Sequence, residues 1–120
     1  MTHSAPPALV RVERADTFET HGTGDTVAQI APVMAETFQG HATVLIALER
    51  TGEAGWTLYR RRIDPTGEQQ LVVQQQRRGV QEAGALTTDT FRYASGDRPV
   101  QVHVEAPAGV RWGLAVVLTD

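Results

Sequence analysis

The sequence predicts an all-β protein: an antiparallel β-sandwich, jelly-roll-like, of about eight strands. Three observations predict it. Apolar and polar residues alternate with a period of two, most strictly in Val100-Gln101-Val102-His103-Val104-Glu105. Clusters that combine Gly with Pro, Asp or Thr fall between the alternating runs. The runs recur roughly every ten residues, the rhythm of a sandwich or barrel.

From the N-terminus, Leu9 to Val12, Thr17 to Thr20 and Thr26 to Ile30 are short strand candidates. Thr43-Val44-Leu45-Ile46-Ala47-Leu48 is nearly all apolar, the pattern of a central strand buried on both faces. Trp56 to Arg60 and Gln70 to Gln74 supply two more strands, joined through Asp64-Pro65-Thr66-Gly67. That tetrapeptide is a hairpin signal, since Pro presets φ and Gly permits φ > 0. Thr87 to Tyr93 is rich in Thr and aromatics, which suit a pleated surface. In the last strand, Val110, Trp112, Leu114, Val116 and Leu118 form one apolar face. The remaining turns are expected at Gly22-Thr23-Gly24-Asp25, Thr51-Gly52-Glu53-Ala54-Gly55, Ser95-Gly96-Asp97 and Ala106-Pro107-Ala108-Gly109. Pro32 to Phe38 reads as a single helical turn ended by Gly40.

The chain has 120 residues, enough for one domain, expected over residues 8–120 behind a disordered lead of residues 1–7. A 41% hydrophobic content beside 21% charged residues is that of a folded chain rather than a disordered one. The net charge of -3 argues against a dedicated nucleic-acid binder, and no run approaches the ~20 apolar residues of a membrane span. No basic region precedes an apolar one at the N-terminus, so the expected location is the cytoplasm. Cysteine is absent, which removes disulfides, thiolate nucleophiles and cysteine metal sites. All 11 cationic residues are Arg, and Asn is missing with Lys. Codon composition in a high-GC bacterial genome accounts for that bias. Without Lys, Schiff-base chemistry is excluded.

No catalytic constellation stands out, and no cofactor is expected. His103 and Glu105 share a strand face two residues apart, but no third ligand is fixed by spacing, so no metal is assigned. In Arg60-Arg61-Arg62, alternation sends Arg61 opposite to its neighbours, and Arg77-Arg78 extends that cluster only if the fold brings it alongside. The run Gln69-Gln70-Leu71-Val72-Val73-Gln74-Gln75-Gln76 is an uncharged, hydrogen-bonding strand surface, fit to recognise sugars or to pair with another chain at an exposed edge. The candidate ligand-binding residues drawn from these features are Tyr59, Arg61, Gln74, Gln101, His103 and Glu105.

The order of features resembles the small bacterial β-sandwich domains of the pre-peptidase C-terminal type. The matching segments are Gly22-Thr23-Gly24-Asp25-Thr26-Val27, Gly40 leading into Thr43-Val44-Leu45-Ile46, the Asp64-Pro65-Thr66-Gly67 hairpin, and Val100 to Ala106 followed by a turn and Val110-Arg111-Trp112-Gly113-Leu114. The resemblance spans roughly residues 16 to 118. It implies a jelly-roll-like sandwich with a non-catalytic accessory role in adhesion or substrate association. Some of those relatives hold calcium, whereas this chain has no tight Asp/Glu cluster to do so.

The expected function is therefore a non-enzymatic β-sandwich that works by binding a partner protein or copies of itself, with Gln69 to Gln76 as the contact. The alternative is a small β-fold enzyme or ligand carrier whose Trp56, Tyr59, Phe91, Tyr93 and Trp112 line an apolar cavity between the sheets. A bound small molecule belongs to that alternative.

Overall fold

The structure, a computed structural model, describes residues 15–30, 40–94 and 97–119. Eight strands follow one another: β1 (Ala15–Thr23), β2 (Thr26–Gln29), β3 (Gly40–Leu48), β4 (Gly52–Ile63), β5 (Gln69–Gln81), β6 (Thr87–Tyr93), β7 (Pro99–Glu105) and β8 (Arg111–Thr119). They form two four-stranded antiparallel sheets, ordered β1-β8-β3-β6 and β2-β7-β4-β5. This is the all-β, jelly-roll-like sandwich that the period-two pattern predicts. Sequence neighbours β1 and β2 lie in different sheets, as do β5 and β6, so the chain crosses between the layers. The edge strands are β1 and β6 in the first sheet, and β2 and β5 in the second.

The core forms where the inner faces meet. Val44, Ile46 and Leu48 of β3 and Leu114, Val116 and Leu118 of β8 face Trp56 and Leu58 of β4 and Val102 and Val104 of β7, all buried. Each such side chain contributes about 1.5–3 kcal/mol through removal of apolar surface from water. Trp112 needs a partner for its indole N–H when buried, and it donates to the Gly24 carbonyl at 2.8 Å. That bond ties β8 to the β1–β2 turn. At the opposite side Gln81, also buried, donates from Nε2 to the Ile46 carbonyl at 2.7 Å and to Ala85 at 2.9 Å. The end of β5 is thereby fastened to the first sheet. Trp56, Tyr93 and Trp112 are packing residues of this core, with Phe91 packed against it, while Tyr59 projects from the second sheet's outer face.

The structure departs from expectation in three places. Thr51 to Gly55, expected as a turn, gives way to strand from Gly52, because Gly52 to Gly55 pair with Gln81 to Arg78. Cross-strand pairing here overrides the weak strand preference of Gly. The strands expected at Trp56–Arg60 and Gln70–Gln74 accordingly lengthen to 12 and 13 residues. Third, β3 is central but covered on one face only: Ala42, Val44, Ile46 and Leu48 are buried, whereas Thr43, Leu45 and Ala47 are half-buried on the outside. Leu9 to Val12, Pro32 to Phe38, Ser95-Gly96 and residues 1–7 lie outside the described residues.

The β3–β4 turn is clamped to β8 by charge. Arg111 donates from Nε to Glu49 Oε2 at 3.0 Å and from Nη2 to Oε1 at 2.7 Å. These bonds from the Arg111 guanidinium hold the Glu49 carboxyl down at about 2, against an ordinary 4.5. A carboxyl depressed on folding stabilises the fold fully above its unfolded pKa and loses that contribution as pH falls through the folded one. The stability supplied by this pair is thus complete above about pH 4.5 and fades towards pH 2. Urea unfolding across that window should show a decline that Arg111→Gln flattens. Parallel profiles for the two proteins would contradict the clamp.

Candidate functional site

The second sheet offers the distinctive surface, and its outer face follows from register. Because Ala54, Trp56 and Leu58 point inward, alternation sends Glu53, Gly55, Thr57, Tyr59, Arg61 and Ile63 outward. Pairing then sets the rows. Gln29, Gln101, Tyr59 and Val73 lie side by side across four strands, and Val27, His103, Thr57 and Gln76 form the next row. Glu105, Gly55 and Arg78 follow, then Glu53 with Val80. In the other direction come Arg61 with Leu71 and Ile63 with Gln69.

Within this face the polar groups are tied together. Gln29 Nε2 donates to Gln101 Oε1 at 2.7 Å. Arg78 donates from Nε to Glu53 Oε1 at 2.9 Å and from Nη1 to Glu105 Oε2. Bonds to Glu53 and then Glu105 raise the Arg78 pKa above its ordinary value. His103 Nδ1 stands 4.0 Å from Glu105 Oε1, the outer limit of an ion pair. No group of three His, Cys, Asp or Glu residues able to hold a metal occurs among the described residues.

Beyond Arg60 the sheet narrows. The β7 pairing with β4 ends at Pro99 opposite Arg60, so Arg61 to Ile63 with Gln69 to Leu71 continue as a two-stranded arm. Its tip is organised by Asp64, whose Oδ1 accepts from the Thr66 hydroxyl at 2.6 Å and from the Thr66 and Glu68 amides at 2.9 Å each. The Thr66 hydroxyl is the first cause of a lowered Asp64 pKa. Gly67 closes the turn with φ 88°, a conformation that favours Gly.

A β-bulge separates arm from sheet. Leu58 pairs with Gln75 and Tyr59 with Val73, which leaves Gln74 as the extra residue. Its Nε2 donates to the Asp97 carbonyl, and Arg60 Nη1 reaches Asp97 Oδ1 at 3.1 Å. The bulge therefore turns Gln74 off the outer face that carries Val73 and Gln76.

Of the candidate ligand residues, the structure brings Tyr59, Gln101, His103 and Glu105 together on this face and sets Arg61 on the arm. Gln74 is not part of the group. Arg77 and Arg78 do not extend the Arg60–Arg62 cluster, since they pair with Trp56 and Gly55, several rows away. Beyond the candidate ligand residues, the face also carries Val27, Leu71, Val73 and Val80, all exposed large apolar side chains, together with Gly55 and Arg78; Val27 and Val80 are the apolar members that no sequence-based candidate included. The available signal was apolar residues at strand positions that pair with outward-facing neighbours.

Gly55 has a steric reason. A Cβ there would meet the Arg77 carbonyl oxygen at 2.4 Å and Arg78 Cβ at 3.1 Å. The resulting hollow on the outer face has a volume of 330 Å³ and is lined by Gly55, Trp56, Thr57, Gln76, Arg77, Arg78 and Glu105.

No family model and no curated protein matches the chain. Three solved structures share its fold at a TM-score of 0.50. One comes from the work on the disulfide-linked pili of Bacillus endospore appendages: it is 16% identical, and the match covers 99% of this chain and 98% of that one. Another is the CBM22-1–GH10 portion of Clostridium thermocellum xylanase 10B complexed with xylohexaose, 13% identical over 88% of this chain but 26% of that one. The third is the C-terminal family 22 carbohydrate-binding module of the same xylanase, 12% identical over 95% of this chain and 82% of that one. At such identities the likeness shows the β-sandwich alone.

Gly55→Ala should destabilise the fold by about 1–3 kcal/mol through overpacking against β5 backbone. Gly79→Ala meets nothing within 4 Å and is the matched control, expected within about 1 kcal/mol of the parent. Equal urea midpoints for the two variants would remove the steric account of Gly55.

Proposed function

We propose that the chain is a non-catalytic assembly module whose copies join along the free edge of β5. The observation that carries this reading is the edge itself: β5 is 13 residues long, and among the described residues only β4 pairs with it. Native edges of this length are normally blunted by charge, Pro or a bulge. Here Gln69 to Gln76 contains no charge and no Pro. The single blunting device in that stretch is the bulge at Gln74, which limits regular pairing to Gln69–Val73.

Two copies related by a two-fold axis at Leu71 would set Gln69 opposite Val73 and Gln70 opposite Val72, each residue meeting one that points to the same face. Cross-strand pairs of this kind stabilise by roughly 0.2–1 kcal/mol each, on top of the new backbone bonds. The pilus neighbour and the accessory role implied by the pre-peptidase resemblance support an association function. With no cysteine among its 120 residues, this sequence offers no disulfide for such a contact.

The test is Gln70→Glu combined with Val72→Glu. Within one chain these positions lie opposite Arg62 and Arg60, so the hairpin keeps its fold. Between copies the new carboxylates oppose one another. Sedimentation velocity should show the parent larger than the 13.1 kDa chain and the double variant smaller than the parent. A monomeric parent, or equal masses, would sink the reading.

A further inference from the structure

Six large apolar side chains are prominently exposed among the described residues: Val27, Ile63, Leu71, Val73, Val80 and Leu86. Five of them, all but Leu86, project from the outer face of the second sheet by the register given above. Scattered exposed apolar residues are ordinary, but concentration on one sheet face marks a contact surface. The occupant is identified by what the face matches.

We propose that this face packs against the same face of a second copy, about a two-fold axis that crosses the strands at Thr57. Such an axis lays each strand antiparallel over its own equivalent, and it carries every row onto its mirror about the Thr57 row. The superposed rows then match at several positions. Val27 lies over Val27 of the other copy. Leu71, in the Arg61 row, lies over Val80, in the Glu53 row, so two exposed apolar side chains cover each other. Arg61, exposed on the arm, lies over Glu53, which is 58% exposed. Tyr59 lies over Gly55, where the missing side chain leaves the 330 Å³ hollow. Arg61 joins Arg78 on the Glu53 carboxylate, while Val73 falls over Arg78 and Ile63 lies beyond the matched rows.

The other two-fold axis available to stacked sheets, parallel to the strands, fails this comparison. It lays β5 over β2, which sets Val27 over Gln76 and leaves Leu71 and Val80 over no apolar partner. Rows Glu53 to Arg61 span about 27 Å on β4 and β5, while β7 and β2 add only the middle rows, or roughly 400 Å² in plan for each copy. Two copies reach about 800 Å² before side-chain relief, the size of a weak, reversible contact. Aligned sheets pack about 10 Å apart with their strands rotated by about 30°, so the match holds best near Thr57 and is adjusted by side chains at the ends. The contact is isologous, and it uses a face rather than the edge of β5.

The test is a charge swap carried by Leu71→Asp and Val80→Arg. In one chain the two positions stand about 27 Å apart and cannot meet. Leu71→Asp lies beside Arg61 and Val80→Arg beside Glu53, so each variant keeps its fold. In the background of Gln70→Glu/Val72→Glu, which silences the edge, sedimentation velocity should give a dimer. Either single swap should weaken that dimer at least tenfold, and the two together in one chain should restore it. A monomeric edge-silenced background, unaffected single variants, or no recovery in the combined protein would each overturn the proposal. Were the edge variant to leave the parent mass unchanged while the single swaps gave monomer, the edge reading would fail and this one would stand.

Discussion

A sandwich of two sheets can bury only the faces that meet, and everything else in this molecule depends on that constraint. Each of the eight strands has to present apolar side chains at alternate positions and leave the remainder outside. Val102 and Val104 are fully buried while Gln101, His103 and Glu105 between and beside them are half-exposed on the same strand. Two of the polar groups buried among the described residues donate to carbonyls: the Trp112 indole to Gly24 and the Gln81 amide to Ile46 and Ala85. Those bonds bracket the layers at opposite sides. They fix the relative position of β1, β5 and β8 without drawing on any charge in the interior.

How much of this was legible in the sequence depended on whether alternation was interrupted. It runs clean through β7 and less cleanly through β8, where Ala115 and Val117 face outward, and both strands were readable to within a residue. It is masked in β3, where Leu45 and Ala47 occupy outward positions and make the strand read as doubly buried; their half-exposure is a property of the neighbouring strands, not of the sequence run. The beginnings of β4 and the end of β5 were missed for a different reason. Gly52, Gly55 and Gly79 resemble turn residues locally, and only the pairing of the two strands reveals them as strand. The bulge at Gln74 leaves no mark in composition at all. For the candidate surface, alternation alone groups Gln101, His103 and Glu105. Adding Tyr59, and separating Gln74 from it, requires cross-strand register, which a single sequence does not contain.

Charge is placed so that it stiffens the molecule and does not advertise a binding site. The apparent basic run Arg60-Arg61-Arg62 is divided by the pleat, with Arg60 engaged by Asp97. Arg78 is spent on Glu53 and Glu105, Arg77 stands 3.9 Å from Asp89, and Arg111 holds Glu49. Exposed pairs of this sort contribute little individually to stability. Their effect is on geometry: Arg78 bridges β4 and β7 from the edge strand, and the Asp64 network gives the arm a defined tip. Arg61 is left as the outward cation of the arm, at the far end of the face from Glu53.

The edge of β5 and the outer face beside it are physically different surfaces, although the arm contributes to both. An edge offers unpaired backbone N–H and C=O groups and is nearly indifferent to side-chain identity. A face offers side chains in a fixed grid and is selective for a matching grid. The bulge at Gln74 keeps them from acting as one: it confines regular edge pairing to Gln69–Val73, while Gly55, Arg78 and Val80 of the face lie on its other side. In the two contacts proposed above the two-fold axes do not coincide, since one stands perpendicular to the sheet and the other lies parallel to it. A protomer with a single isologous contact stops at a dimer, whereas two non-coincident ones continue from copy to copy. An assembly that used both proposed contacts would therefore grow in length, because among the described residues neither the β5 edge nor the outer face of the second sheet is covered.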